Sequence, residues 1–183
     1  MPLPVAHGLL GAAVAAALSP SSRPLSPQSR SLSWKTLLAG ALLGICPDFD
    51  YALNWLRISG GGWHHGFTHS IFFALVLGLL LAAVFGHREL RYFALFSCAI
   101  VSHTLLDLML TESRGVALWW PFSNHRYKLR FPNPIDYSWS QTSLWQAMID
   151  VIKISLAELI IFAPILLLVI LVKRSLVERT ATS

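Results

Sequence analysis

Three stretches of the chain are too apolar and too long for the surface of a water-soluble domain. Ser70 to Gly86 carries no charge, Tyr92 to Leu106 has only His103, and Ile154 to Val172 has only Glu158. Each approaches the roughly 20 residues that a helix needs to cross the bilayer core. Backbone polar groups inside a bilayer must bond within their own segment, so such stretches fold as helices. Two shorter apolar runs join them, giving five hydrophobic helices at about 4–18, 34–46, 69–86, 90–110 and 149–173. A hydrophobic fraction of 55% against 13% charged residues is far from the soluble balance and agrees with this reading. The expected fold is an all-α, polytopic membrane helical bundle in a single unit, 1–183. Helices 1 and 2 are short, and can tilt, enter from one side or pack within the protein. Gly8, Gly11, Ala12 and Ala15 give helix 1 a face for close approach to a neighbour.

The connections carry the polar residues. The start of the chain ends in Ala-rich sequence before Ser19 and Pro20, as a signal peptide does, but lacks the basic leading region, so a retained helix is expected. Ser- and Pro-rich 19–33 reads as a flexible, solvated loop. Gly60-Gly61-Gly62 interrupts the stretch before Trp63. The aromatic and basic connection 111–148 is the natural cap or substrate-facing surface, and 174–183 is a polar tail. A net charge of +5 is scattered over these connections rather than gathered into a groove-reading motif, so no nucleic-acid partner is expected. Cys46 and Cys98 lie in apolar segments without zinc-type pairing and read as small buried hydrophobes. If all five helices cross, Arg23, Arg30, Lys35, Arg88, Arg91, Lys173, Arg174 and Arg179 share one side. Arg57, Arg114, Arg126, Lys128, Arg130 and Lys153 share the other. The larger set is then cytoplasmic by the positive-inside rule, with the amino terminus outside.

The alternation has a chemical consequence. His7 begins helix 1, Asp48 and Asp50 follow helix 2, His64, His65 and His69 open helix 3, and His103 and Asp107 close helix 4. All fall on the same membrane face, whereas chance would scatter them over both. His103 and Asp107 are four apart and project from one side of their helix, and His65 and His69 have the same spacing. An extended Asp48-Phe49-Asp50 would direct its carboxylates apart, so only one binds unless the chain turns. Each feature has a structural explanation too: a hydrogen-bonded His/Asp pair, or an aspartate ending a helix. Ionisable groups in membranes nevertheless face a cavity or one another, and jointly the set points to a metal site. Imidazole with carboxylate suits zinc, manganese or iron.

Four motifs carry a resemblance. Pro47-Asp48-Phe49-Asp50, His64-His65-Gly66-Phe67-Thr68-His69-Ser70, Ser102-His103-Thr104-Leu105-Leu106-Asp107 and Gly115-Val116-Ala117-Leu118-Trp119-Trp120-Pro121-Phe122 occur in the order found in the YdjM-like family of inner-membrane proteins. The chain resembles that family over most of residues 5–125. The resemblance implies an inner-membrane, metal-dependent hydrolase, an activity ascribed to the family by analogy with zinc-dependent phospholipases and nucleases. It implies His64 and His69 as ligands, with His65 in place of a family arginine. His65 either contacts an anion or binds metal itself.

Seven candidate ligands, His7, Asp48, Asp50, His64, His69, His103 and Asp107, exceed one tetrahedral zinc, so one or two ions are expected. A metal-activated water would attack a phosphoester of a membrane lipid or lipid-linked substrate, with Asp50 accepting the proton. Arg126, Lys128 and Arg130, with His65, are the candidate substrate contacts; the three basic residues read equally as interfacial side chains. Trp119, Trp120, Trp139 and Trp145 read first as an aromatic belt. Glu158 completes the metal shell, supports a ligand histidine or pairs with Lys153. The rival readings are a non-catalytic membrane protein with a structural metal, a metal-ion carrier, and a soluble bundle whose helix 5 is covered on every side.

Overall fold

The computed structural model describes residues 2–19, 32–51, 56, 64–85, 89–110, 115–129, 131–132, 135 and 143–182. Within them lie five helices: α1 (Pro4–Leu18), α2 (Trp34–Ile45), α3 (Ile71–Phe85), α4 (Leu90–Leu110) and α5 (Leu144–Thr182). Cys46–Phe49 and Phe67–His69 form 3-10 turns. The described residues contain no strand beyond a single antiparallel bridge between Val116 and Tyr127. Most of loop 19–33, the Gly60-Gly61-Gly62 triplet, Arg130 and Trp139 lie outside the described residues.

Two helices, Leu90–Leu110 and the Leu144–Arg179 part of α5, are long and apolar enough to cross a membrane. At a rise of about 1.5 Å per residue, α1 and α3, of 15 residues each, fall short of the roughly 30 Å hydrocarbon core. Only 17% of the most apolar 18-residue window of α5 is buried. Ile160, Leu167, Leu168, Leu171 and Val172 are exposed, so the covering that a soluble bundle requires is not supplied by the described residues.

Helix α5 differs from the sequence expectation at both ends. It starts five residues before the expected 149, where Ser143 Oγ accepts from Gln146 N at 3.2 Å as a helix cap. It then continues through the expected polar tail, since 174–182 contains neither proline nor glycine to stop it. Similarly, α3 begins at Ile71 rather than 69, with Ser70 Oγ accepting from Phe73 N at 3.0 Å.

The packing is antiparallel between α1 and α2, with Gly8 against Ile45 and Gly40 against Ala15. Helix α5 clasps α1 in parallel. Leu3 caps α1 without a side-chain bond and Pro4 opens it, leaving first-turn amides to be satisfied from elsewhere. Glu158, fully buried, accepts from Leu3 N and, at 2.9 Å, from Ala6 N. At the other end of α1, Lys173 Nζ donates to the carbonyls of Ala17 and Ser19 at 3.0 and 2.8 Å. Carboxylate at the amino end and ammonium at the carboxyl end both complement the α1 dipole. Glu158 thus has a role outside the three expected for it. Glu158→Ala is expected to lower stability by about 3 kcal/mol, the scale of hydrogen bonds between a carboxylate and buried amides. Thermal unfolding in detergent should show a smaller loss for Glu158→Gln, which keeps one acceptor; equal losses would mean the carboxylate is not the cap.

The connection 115–129 is folded against the bundle. Val116 and Tyr127 exchange two backbone bonds of 2.9 Å, Leu129 N donates to Leu108 O at 2.8 Å, and Leu118 O accepts from Ile71 N at 3.0 Å at the start of α3. Ala117 N donates to His65 O at 2.9 Å.

Candidate metal centre

Antiparallel packing sets the start of α1 against the end of α2, and the start of α3 and the end of α4 lie at the same end of the bundle. The turn at Cys46–Phe49, in which Pro47 cannot donate to a continuing helix, swings Asp48 and Asp50 to the same side. The extended Asp-x-Asp geometry, which would have separated them, does not occur. His64, His65 and His69 are not on α3: His65 has φ 60, in the left-handed region, and His69 lies in the Phe67–His69 turn. The i,i+4 relation of His65 and His69 therefore has no helix to act on, and the turn at His65 and Gly66 aims the three rings instead.

His7, His69, His103 and Asp107 are fully buried, Asp50 and His65 nearly so. Four imidazoles face the Asp107 carboxylate: Nε2 of His69 and of His103 at 3.3 Å, of His65 at 3.4 Å and of His7 at 3.5 Å. Asp48 Oδ1 stands 3.5 Å from His103 Nε2 and 3.6 Å from His69 Nε2. The ring of His7 stacks on that of His103 at 3.7 Å. Donor atoms of Asp48, His69, His103 and Asp107 all lie within 4.8 Å of one another, as do those of His64, His65 and His69 and those of Asp48, Asp50 and His64.

The hydrogen bonds around the cluster fix which ring nitrogens carry protons. His103 Nδ1 lies 2.7 Å from Gly44 O, which can only accept, so Nδ1 is protonated. Thr68 Oγ1 donates to Asp50 Oδ2 at 2.8 Å, and so accepts from His69 Nδ1 at 2.9 Å. In their neutral forms both rings then carry a lone pair on Nε2, yet the two Nε2 atoms are 3.0 Å apart. Asp48 Oδ1 and both Asp107 oxygens beside them have no hydrogen-bond partner. Buried acceptors converging without a donor require a cation among them. A proton on one imidazole or a metal ion meets that requirement, so the donor set fits a metal.

The same demand bears on the ionisable groups. Burial alone would lower the pKa of His69, but the Asp107 and Asp48 carboxylates raise it above the ordinary value. Burial would likewise raise Asp48, yet the His103 and His69 imidazoles hold it below the usual carboxylate range. His65 is lowered, chiefly by burial. At the edge, the Tyr51 ring packs 4.1 Å from that of His64. Burial, then the nearby carboxylates of Asp48, Asp50 and Asp107, pushes its phenol up to about 12.

The residues expected as substrate contacts divide. Arg126 Nη1 donates to Gly115 O at 3.0 Å and to His65 O at 3.4 Å, tying the 115–129 connection to the left-handed turn. Lys128 is exposed, Arg130 lies outside the described residues, and His65 faces Asp107. Asp50, expected as the proton acceptor, has Oδ1 2.9 Å from His64 Nδ1 and Oδ2 on Thr68. Thr68 and the Gly44 carbonyl had no assigned role in the sequence. Thr68 sits inside a quoted motif, so its position was a usable signal; a backbone carbonyl leaves none.

The chain matches the family model described as YdjM inner membrane protein over residues 1–178. It is 32% identical over 105 residues to the inner membrane protein YbcI of Escherichia coli (strain K12), a match covering 54% of this chain and 61% of that relative, less than two thirds of its length. No solved structure matches. A helical chain with two helices long and apolar enough to cross a membrane, an end-on His/Asp cluster and a family match along nearly its whole length belongs to the YdjM inner membrane protein family.

Proposed function

We propose that the chain is a multi-pass, membrane-bound, metal-dependent hydrolase that acts on a phosphoester carried by a membrane lipid or lipid-linked molecule. The observation that carries the metal reading is the 3.0 Å approach of His69 Nε2 to His103 Nε2, with both Nδ1 atoms already donating elsewhere. Asp48, His69, His103 and Asp107 would hold a zinc, manganese or iron ion. When bound, such an ion supplies Lewis-acid polarisation and a water of lowered pKa. His7, stacked on His103, walls the inner side of the centre. Asp50 orients His64 directly and His69 through Thr68, as carboxylates commonly do for ligand histidines. In this reading an oxygen of the same carboxylate also takes the proton of the attacking water.

The substrate class follows from placement. Helices α4 and α5 span the membrane, and the shorter α1, α2 and α3 are embedded beside them. The excess of Lys and Arg beyond the opposite ends of the helices supports a cluster at the non-cytoplasmic face. A lipid head group would meet it from the side of Asp48 and His64, whose side chains are 12% and 17% exposed, while the other faces are closed. Lys128 and Arg130 would contact the phosphate, and Arg126 would hold the turn at His65. That same enclosure favours the second reading, a structural ion that only ties the helices together. A carrier fits less well, because α3 is apolar from Ile71 to Phe85 and offers no polar path through the membrane.

Metal analysis of the detergent-purified chain, wild type beside Asp48→Ala and His103→Ala, tests the centre. Loss of bound metal in both variants is expected, and unchanged metal would remove it. A phosphoester hydrolysis screen on the same samples should show turnover that vanishes with the metal. Stoichiometric metal without turnover on any phosphoester favours the structural reading.

A further inference from the structure

The cluster offers more donors than one ion can use, and the overlap between its groups restricts how a second can be held. His69 belongs both to the buried group Asp48, His69, His103 and Asp107 and to the group His64, His65 and His69. It has one lone pair to give. Its Nδ1 proton is committed to Thr68, so Nε2 cannot serve two ions at once. The third group, Asp48, Asp50 and His64, overlaps the buried one only at Asp48. A carboxylate has two oxygens and can bridge two cations, which an imidazole of fixed tautomer cannot.

We propose that the centre holds two divalent cations of unequal grip, a tight one among Asp48, His69, His103 and Asp107 and an exchangeable one at Asp48, Asp50 and His64, with Asp48 as the bridge. The proposal rests on the metal reading above and adds the division of labour within it. Unequal grip follows from what each cation must displace. The buried position presents oxygens and lone pairs with no donor between them, and Asp48 Oδ1 and both Asp107 oxygens are without hydrogen bonds. At the other position Asp50 is engaged on both oxygens, by His64 Nδ1 at 2.9 Å and by Thr68 Oγ1 at 2.8 Å. A cation arriving there breaks at least one charge-assisted hydrogen bond, which corresponds to about a tenfold weaker hold. Its position is also the one near solvent, since His64 and Asp48 are the cluster side chains that keep some exposure. An ion that exchanges and meets solvent is the one placed to accept a substrate oxygen.

The test is a zinc titration of the full-length, metal-stripped protein in detergent, read by competition with a chromophoric chelator and by metal content after gel filtration. Wild type should take up zinc in two steps, the second about tenfold weaker or more, and keep only the tight equivalent through the column. His64→Ala and His64→Phe should each lose the weak step and retain the tight one, whereas His103→Ala loses the tight step. Using two variants guards against a folding defect in either. A single equivalent in wild type, unchanged by His64→Ala, overturns the second position and leaves the metal centre standing. Loss of the tight step in His64→Ala overturns the division of ligands. No zinc uptake by wild type at all overturns both readings together.

Discussion

Asp107→Asn is expected to abolish stoichiometric metal binding, lowering affinity at least ~100-fold, while leaving a folded bundle. The substitution keeps the shape of the side chain and removes the charge that four imidazoles face at 3.3 to 3.5 Å. A ligand carboxylate carries more of the binding than the outer partners of ligand histidines, whose loss typically costs 10–100-fold. An asparagine amide would also turn a donor toward lone pairs on His69 and His103, occupying the place a cation would take. The folded state should survive because that donor meets the two Nε2 lone pairs that otherwise face each other at 3.0 Å. Chelator competition gives the affinity, and thermal unfolding in detergent separates lost metal from lost fold. Wild-type affinity in a folded Asn variant would exclude Asp107 from the centre.

The convergence of polar residues was legible because it depends only on helix alternation. Once 4–18, 34–46, 69–86 and 90–110 are antiparallel neighbours, His7, Asp48, His69 and Asp107 fall at one end. The pairing of His103 with Asp107 was equally accessible, since an i,i+4 relation inside a regular helix survives any tertiary arrangement. Helix edges were harder to read. His65 and His69 share the same numerical spacing, yet Gly66 already argues that His64 and His65 lie outside regular helix, and the left-handed backbone of His65 agrees with it; what local sequence does not show is that the contacts holding that turn come from Ala117 and Arg126, some fifty to sixty residues away. Glu158 was conspicuous as a charge in an apolar run, yet its partners are backbone amides of α1, and no side-chain pattern announces a backbone acceptor or donor. The start of α5 could have been found: Ser143 followed three residues later by Gln146 is a helix-start signal.

Gly44→Ala is expected to damage both the fold and the centre, although alanine is the better helix former by about 1 kcal/mol. A Cβ on Gly44 would stand 2.3 Å from His7 O and 3.1 Å from Gly11 Cα, backbone atoms of a packed helix that cannot rotate away. The two helices must separate, with an overpacking cost of about 1–3 kcal/mol, and a shift of the unfolding midpoint of several degrees in a chain of 183 residues. The separation acts on the site from two directions. Gly44 O is the acceptor that sets the His103 tautomer at 2.7 Å, and the displaced backbone is that of His7, whose ring stacks on His103. Metal affinity should therefore fall by about 10–100-fold, the scale for disturbing a partner that orients a ligand histidine. Gly8→Ala, on the same helix pair, is the contrast: its nearest neighbour is the Ile45 Cδ1 side-chain tip at 3.2 Å, which can move. That variant should stay within about 0.5 kcal/mol of wild type, the range of substitutions that meet no special feature, and should bind metal normally. Equal behaviour of the two variants would mean that the close α1–α2 contact does not position His103.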